Sequence, residues 1–98
     1  MADEARFSSE LTVDILAEKS RMSPRNFARV FKTETGTTPA RLIEKLRLEA
    51  ARDLVEGSTA SLQQIAQATG FREADRMRLS FLRAYGQPPM VLRRQRET

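Results

Sequence analysis

Arg25, Arg29 and Lys32 follow one another at intervals of four and three residues within "MSPRNFARVFKTETGTTP", residues 22–39. On a helix that spacing gathers three cations on one face, opposite Phe27 and Phe31. A guanidinium is a planar fork of N–H donors, suited to phosphate, carboxylate or the paired acceptors on a guanine edge. No acid interrupts residues 19–33. A second set, Arg72, Arg76, Arg78 and Arg83, lies near the other end of the chain. Both sets offer the same chemistry, the binding of an anion by fixed positive charge.

Other chemistries are poorly provided for. The 98 residues contain no His and no Cys. That removes the commonest general base, the commonest metal ligand, thiolate catalysis and disulfides. There is no Gly-rich phosphate loop and no carboxylate pair at a recognisable spacing. An enzyme is therefore not expected, nor a cofactor. Exposed aromatic residues for stacking on single-stranded RNA are also missing. No apolar run approaches the length of a membrane span, and "MADEARFSSE" lacks the apolar segment of a signal peptide. A cytoplasmic, nucleoid-associated protein is the expectation.

The net charge of +4 is unevenly placed. Residues 1–18 carry −4 and residues 33–71 carry −1, whereas residues 19–32 carry +5. Residues 72–96 hold seven arginines against Glu73 and Asp75, again +5. Two basic blocks on a nearly neutral scaffold suit a polyanion with two contact regions. Charge alone would equally allow two solvated helix faces.

The elements that carry these blocks are helical. Thr12, Ser23, Thr38 and Ser61 are N-caps, and Pro24 and Pro39 stand at N1, where a missing N–H is harmless. "SLQQ" forms a capping box from Ser61 to Gln64, and Leu11 with Leu16, like Met22 with Phe27, is spaced as a hydrophobic staple. Gly36, Gly57, Gly70 and Gly86 stop helices. The predicted helices are 13–20, 24–35, 39–56, 62–69 and 73–85, with a last one from Pro89. No alternating strand pattern occurs, so the fold class is all-α. In the long helix Leu42, Ile43, Leu46, Ala50 and Leu54 form the apolar stripe. The expected core comprises Phe27, Val30, Phe31, Leu46, Leu54, Ile65, Phe71, Met77, Phe81 and Tyr85. Arg47 and Arg52 are expected to pair with Glu44, Glu49, Asp53 or Glu56 along their own helix.

The chain repeats itself. Ala17 matches Ala66 and Met22 matches Phe71 at an offset of 49; Phe27 and Met77, Phe31 and Phe81, Gly36 and Gly86, Pro39 and Pro89 match at 50. The second copy has one inserted turn residue. Each copy is a short helix with a small Ala, a tight turn and a longer helix with a buried aromatic, which is a helix-turn-helix. The first +5 block falls on the turn and second helix of its copy, as do Arg72, Arg76, Arg78 and Arg83 of the second. A connecting helix of about 18 residues spans roughly 27 Å. The two second helices could then reach major grooves one DNA turn apart, roughly 34 Å.

"LTVDILAEKSRMSPRNFARVFKTETGTTP", "RLEAARDLVEGS", "IAQATGF" and "FLRAYGQPP" together resemble the DNA-binding domain of the AraC/XylS family of bacterial transcription regulators. The resemblance covers about residues 11 to 92. The stretch "TGTTPARLIEKLRLEAARDLVEG" looks like the subgroup with a DJ-1/glutamine-amidotransferase-like sensor domain. The resemblance implies two helix-turn-helix subdomains of homeodomain-like form, at 11–37 and 58–98, joined by a connecting helix at 38–57. It implies double-stranded DNA as partner and RNA polymerase as a partner of the full-length regulator. It also implies a dimeric full-length protein and a monomeric isolated domain. Family members usually have a further helix before "LTV", so residues 1–10 are expected to be a frayed segment or a truncated first helix. Met77 stands where Phe or Leu is commoner, and Leu79 where polar or basic residues are frequent. A helical protein-interaction module with basic faces is the alternative.

With the N-terminal half of each second helix against base edges, Arg25 and Arg29 are candidates for bidentate bonds to guanine. Asn26 reads adenine or holds phosphate, and Lys32, lying deeper, meets a phosphate. In the second copy the outward face holds Arg72, Asp75, Arg76, Leu79 and Arg83. Arg76 is the best base reader, and Arg78, on the flank, suits phosphate. Asp75 accepts from cytosine or orients Arg72 or Arg76. Backbone N–H groups near Ser23 and Ser61 can hold phosphates, with the hydroxyls themselves as caps.

Overall fold

The computed structural model describes residues 12–97. Residues 1–10 and Leu11 with its staple lie outside the described residues. The described chain forms six helices: α1 (Val13–Lys19), α2 (Pro24–Thr35), α3 (Pro39–Gly57), α4 (Leu62–Ala68), α5 (Ala74–Tyr85) and α6 (Pro89–Glu97). It contains no strand among the described residues.

Local chemistry explains where the helices start. Thr12, Ser23 and Thr38 each accept the N–H three residues on, from Ile15, Asn26 and Arg41. Ser61 accepts from Gln64 while the Ser61 N–H donates to Gln64 Oε1 at 2.9 Å, closing the capping box. α2 and α5 both end at a glycine in the left-handed region, Gly36 at φ 80° and Gly86 at φ 72°.

The buried core belongs to the second half of the chain. Leu48, Ala51 and Val55 of α3 meet Ile65 and Ala66 of α4, Phe71 of the turn, Met77 and Phe81 of α5 and Leu92 of α6. α6 lies along α3 and adds a polar tie: Arg93 Nε donates to the Val55 carbonyl at 3.0 Å, near the end of a helix with no basic residue in its own last turn. Tyr85 stacks edge-on to Phe81 and carries the Arg52 guanidinium 4.6 Å from its ring centre.

The expected core needs correction. Leu42 and Leu54 are exposed, and the buried residues of α3 are Pro39, Ile43, Leu48, Ala51 and Val55. α3 carries two adjacent apolar stripes, and α4, α5 and α6 cover the one that includes Leu48, Ala51 and Val55. Phe27, Val30, Phe31 and Leu46 are half-buried, as is Tyr85, and α2 has no fully buried residue. α1 and α2 pack chiefly on each other, through Ala17, which is wholly buried. The molecule is long, 47 × 28 × 19 Å, with α3 as its spine.

Candidate nucleic-acid interface

Two turns aim the two cation-bearing helices. In the first, Ser20 closes α1, Arg21 takes a left-handed φ of 58°, and the Met22 N–H reaches back to the Ala17 carbonyl at 2.9 Å. In the second, Gly70 is left-handed at φ 92°, Arg72 is left-handed again at φ 74°, and the Arg72 N–H reaches the Ala66 carbonyl at 2.9 Å. Arg72 is thus the inserted residue. A left-handed non-glycine is strained by roughly 1–2 kcal/mol, and here the strain sits at the entrance to a helix bearing candidate contacts. Ala17 and Ala66 are both fully buried at equivalent places, where a larger side chain would force the helices apart.

α2 and α5 are each twelve residues long and end on the matched glycines. Their register therefore pairs Arg25 with Asp75, Asn26 with Arg76, Arg29 with Leu79, and Thr33 with Arg83. On α2, Arg25, Arg29 and Lys32 are exposed and Asn26 is half-buried. Arg29 Nη2 donates to Asn26 Oδ1 at 2.6 Å, so Asn26 holds the arginine fork in the free protein. Ser23 caps α2 by accepting from Asn26, and its hydroxyl proton remains available to an acceptor. Thr33, absent from the sequence-based set, is exposed in register with Arg83, and its hydroxyl donates to the Arg29 carbonyl.

Arg72 on the turn and Asp75, Arg76, Arg78, Leu79 and Arg83 on α5 are all exposed. Leu79 has 48% of its surface in solvent. Asp75 faces Arg78 at 4.0 Å, rather than the Arg72 or Arg76 expected from sequence. On a helix the i,i+3 neighbour shares the face of Asp75, whereas the adjacent Arg76 does not. Arg83 Nη2 lies 3.8 Å from Glu44 of α3, tying the end of α5 to the spine.

Arg47 feels Glu44 of its own helix, as expected, and also charge from outside it. It is half-buried on α3, and burial first, then the positive charges of Arg76 and Arg72, hold its pKa below the usual guanidinium range; Glu44 opposes them. The positive field of Arg76 and Arg72 thus reaches Arg47 on the spine. Helical spacing could not reveal this, because Arg72 and Arg76 lie outside α3. Arg52, by contrast, pairs along α3 with Glu56 at 3.3 Å, which raises its pKa.

The model of a family described as "Helix-turn-helix domain" matches residues 16–95. The chain belongs to this family, in its AraC type. The AraC-type domain is 45% identical over 74 residues to the HTH-type transcriptional regulator Rv1931c of Mycobacterium tuberculosis, covering 76% of this chain and 29% of that protein. It is 35% identical over 94 residues to the HTH-type transcriptional activator RhaS of Escherichia coli, covering 96% of this chain and 34% of that protein. The chain thus spans about a third of the length of these relatives. Among solved structures it is similar to the DNA-binding domain of AdpA, a global transcriptional factor, in complex with a target DNA. That match has a TM-score of 0.82 and 31% identity over 92% of this chain and 81% of that one. An AraC-type transcriptional regulator from Chromobacterium violaceum matches with a TM-score of 0.77 and 30% identity, over 97% and 90% of the two chains. Among the described residues of the AraC-type domain, no helix is long and apolar enough to cross a membrane and no acidic or His/Cys cluster could hold a metal.

Proposed function

We propose that this domain binds double-stranded DNA sequence-specifically as the DNA-binding part of a bacterial transcription regulator, with α2 and α5 in successive major grooves. The observation that carries the reading is the repeat of one turn-plus-helix unit with its cations on the exposed face both times. Its long dimension of 47 Å accommodates two helices one DNA turn, roughly 34 Å, apart. A regulator from the same family, AdpA, has been seen on its target DNA.

In this reading Arg25 and Arg29 bond guanine edges, with Arg29 pre-oriented by Asn26. Lys32 and the helix start at Ser23 hold phosphate. In the second unit Arg76 reads a base, Arg72 and Arg78 hold phosphate, and Leu79 packs on a thymine methyl. Asp75 orients Arg78, and Arg83 stands at the edge of the contact, shared with Glu44. The remainder of the regulator would supply a sensor and dimerisation domain, contact with RNA polymerase and a cytoplasmic setting, while the isolated domain is a monomer.

Selection of bound duplexes from a random library tests the reading. The expected product is two short conserved boxes about one turn apart, with the first box more sharply defined. A pool with no enriched sequence after selection, alongside binding to acidic proteins, would replace this reading with that of a protein-interaction module.

A further inference from the structure

The two second helices begin by different means. α2 is capped locally: Ser23 accepts from Asn26, and N1 is Pro24, which has no N–H to satisfy. α5 has Glu73 at the N-cap with no side-chain cap bond, and N1 is Ala74, whose N–H needs an acceptor. The acceptor comes from another helix. Gln63 of α4 takes the Ala74 N–H on Oε1 at 3.0 Å and donates from Nε2 to the Arg72 carbonyl at 3.0 Å. One amide therefore spans Glu73 and fixes the backbone on both sides of it.

This contact is not available in the first unit. The position in register with Gln63 is Asp14, an ionised acceptor that could not donate to a carbonyl, and Pro24 could not donate to it. The clamp accompanies the inserted Arg72, whose left-handed backbone must be held against its own strain. Arg72 and Arg76 stand on either side of Glu73 in the chain.

We propose that Gln63 is a positioning residue for DNA recognition by the second unit: its amide locks the inserted turn and so sets the angle at which α5, with Arg72 and Arg76, meets the DNA. The proposal rests on the two-groove reading above. It makes the direction of the second recognition helix a property of α4, whereas that of the first is set within its own turn.

The test separates positioning from simple capping. In Glu73→Ser a serine at the N-cap can accept from the Arg76 N–H, as Ser23 does from Asn26. Glu73→Ser is compared with the double variant Gln63→Met/Glu73→Ser, which removes both amide bonds while keeping side-chain bulk. The probe is a duplex recovered by the wild-type domain from a random library, footprinted at single-base resolution, with thermal unfolding measured in parallel. At matched thermal midpoints, the double variant should lose protection of the second box, with roughly tenfold weaker binding, and keep the first box intact. Equal protection of the second box by both variants would reduce Gln63 to a helix cap and overturn the proposal. Loss spread evenly over both boxes would overturn it too. A wild-type footprint of one box only would refute the two-groove reading itself, and this proposal with it.

Discussion

The N-terminal and C-terminal units share a short helix, a turn, a second helix of twelve residues ended by glycine, and exposed cations, yet their interiors differ. In the C-terminal unit Ile65, Ala66, Phe71, Met77 and Phe81 are all buried, and Met77 and Phe81 have no exposed surface. In the N-terminal unit the matching Met22, Phe27 and Phe31 are half-buried, and Ala17 alone is sealed. The cause is the spine. α3 presents Leu48, Ala51 and Val55 to α4, α5 and α6, while α2 meets α3 more sparingly. The outer faces differ in the opposite sense. α2 offers Arg25, Asn26 and Arg29, all donors, where α5 offers Asp75, Arg76 and the apolar Leu79. The comparison teaches that one backbone device can be built twice with stability concentrated in one copy and polar readout in the other.

The packing contrast should give the largest effect. Phe81→Ala should destabilise the domain by about 3–5 kcal/mol, and Phe31→Ala, half-buried to begin with, by about half as much. Urea unfolding of both variants measures this. Equal losses would break the contrast, placing the two aromatic anchors on the same footing.

Next in size is the coupling of the units on DNA. Inserting about five base pairs between the two boxes turns the second to the opposite side of the duplex. Binding should weaken by about 3 kcal/mol, on the order of a hundredfold, as one unit disengages. An undiminished affinity in a gel-shift titration would mean that the units do not act together.

Within α2, Arg29→Ala should lower affinity for the selected site by about 2 kcal/mol and relax preference at one base pair. Lys32→Ala should weaken binding to every duplex and reduce the salt slope by about one. The reverse pattern, seen in salt titrations on specific and scrambled duplexes, would turn the helix over in its groove.

The smallest effect concerns Leu79. Replacing the thymine beneath α5 by uracil removes one methyl and should weaken wild-type binding by about 0.8 kcal/mol. The Leu79→Ala variant should barely respond to the same change. Equal responses in the two proteins would remove the methyl contact and leave the second unit without apolar readout.

Much of this molecule was legible in the sequence where the deciding interactions are short-ranged. Thr12, Ser23, Thr38 and Ser61 cap the helices expected of them, and the observed helix ends fall within a residue of those predicted. The candidate residues of α2 and α5 are indeed exposed, apart from the half-buried Asn26, because helical phase places them opposite Phe27 and Phe31 or Met77 and Phe81. Less legible was the choice between the two stripes of α3, since Leu42 and Leu54 have the same helical credentials as Ile43 and Val55. The partner of Asp75 was likewise mistaken, because one arginine on the turn and two on the helix were all near it in sequence.

The all-α class, the caps, the doubled unit and the placing of positive charge follow from residue order, since each rests on contacts between residues three or four apart or on residue type alone. How the helices pack settled which side of α3 is buried and that Gln63 holds the Arg72–Ala74 turn from another helix. The same holds for Arg93, which reaches a carbonyl 38 residues away. A side chain's distant partners depend on how whole helices cross, and that is settled by the summed burial of many apolar groups rather than by the residue's own neighbours.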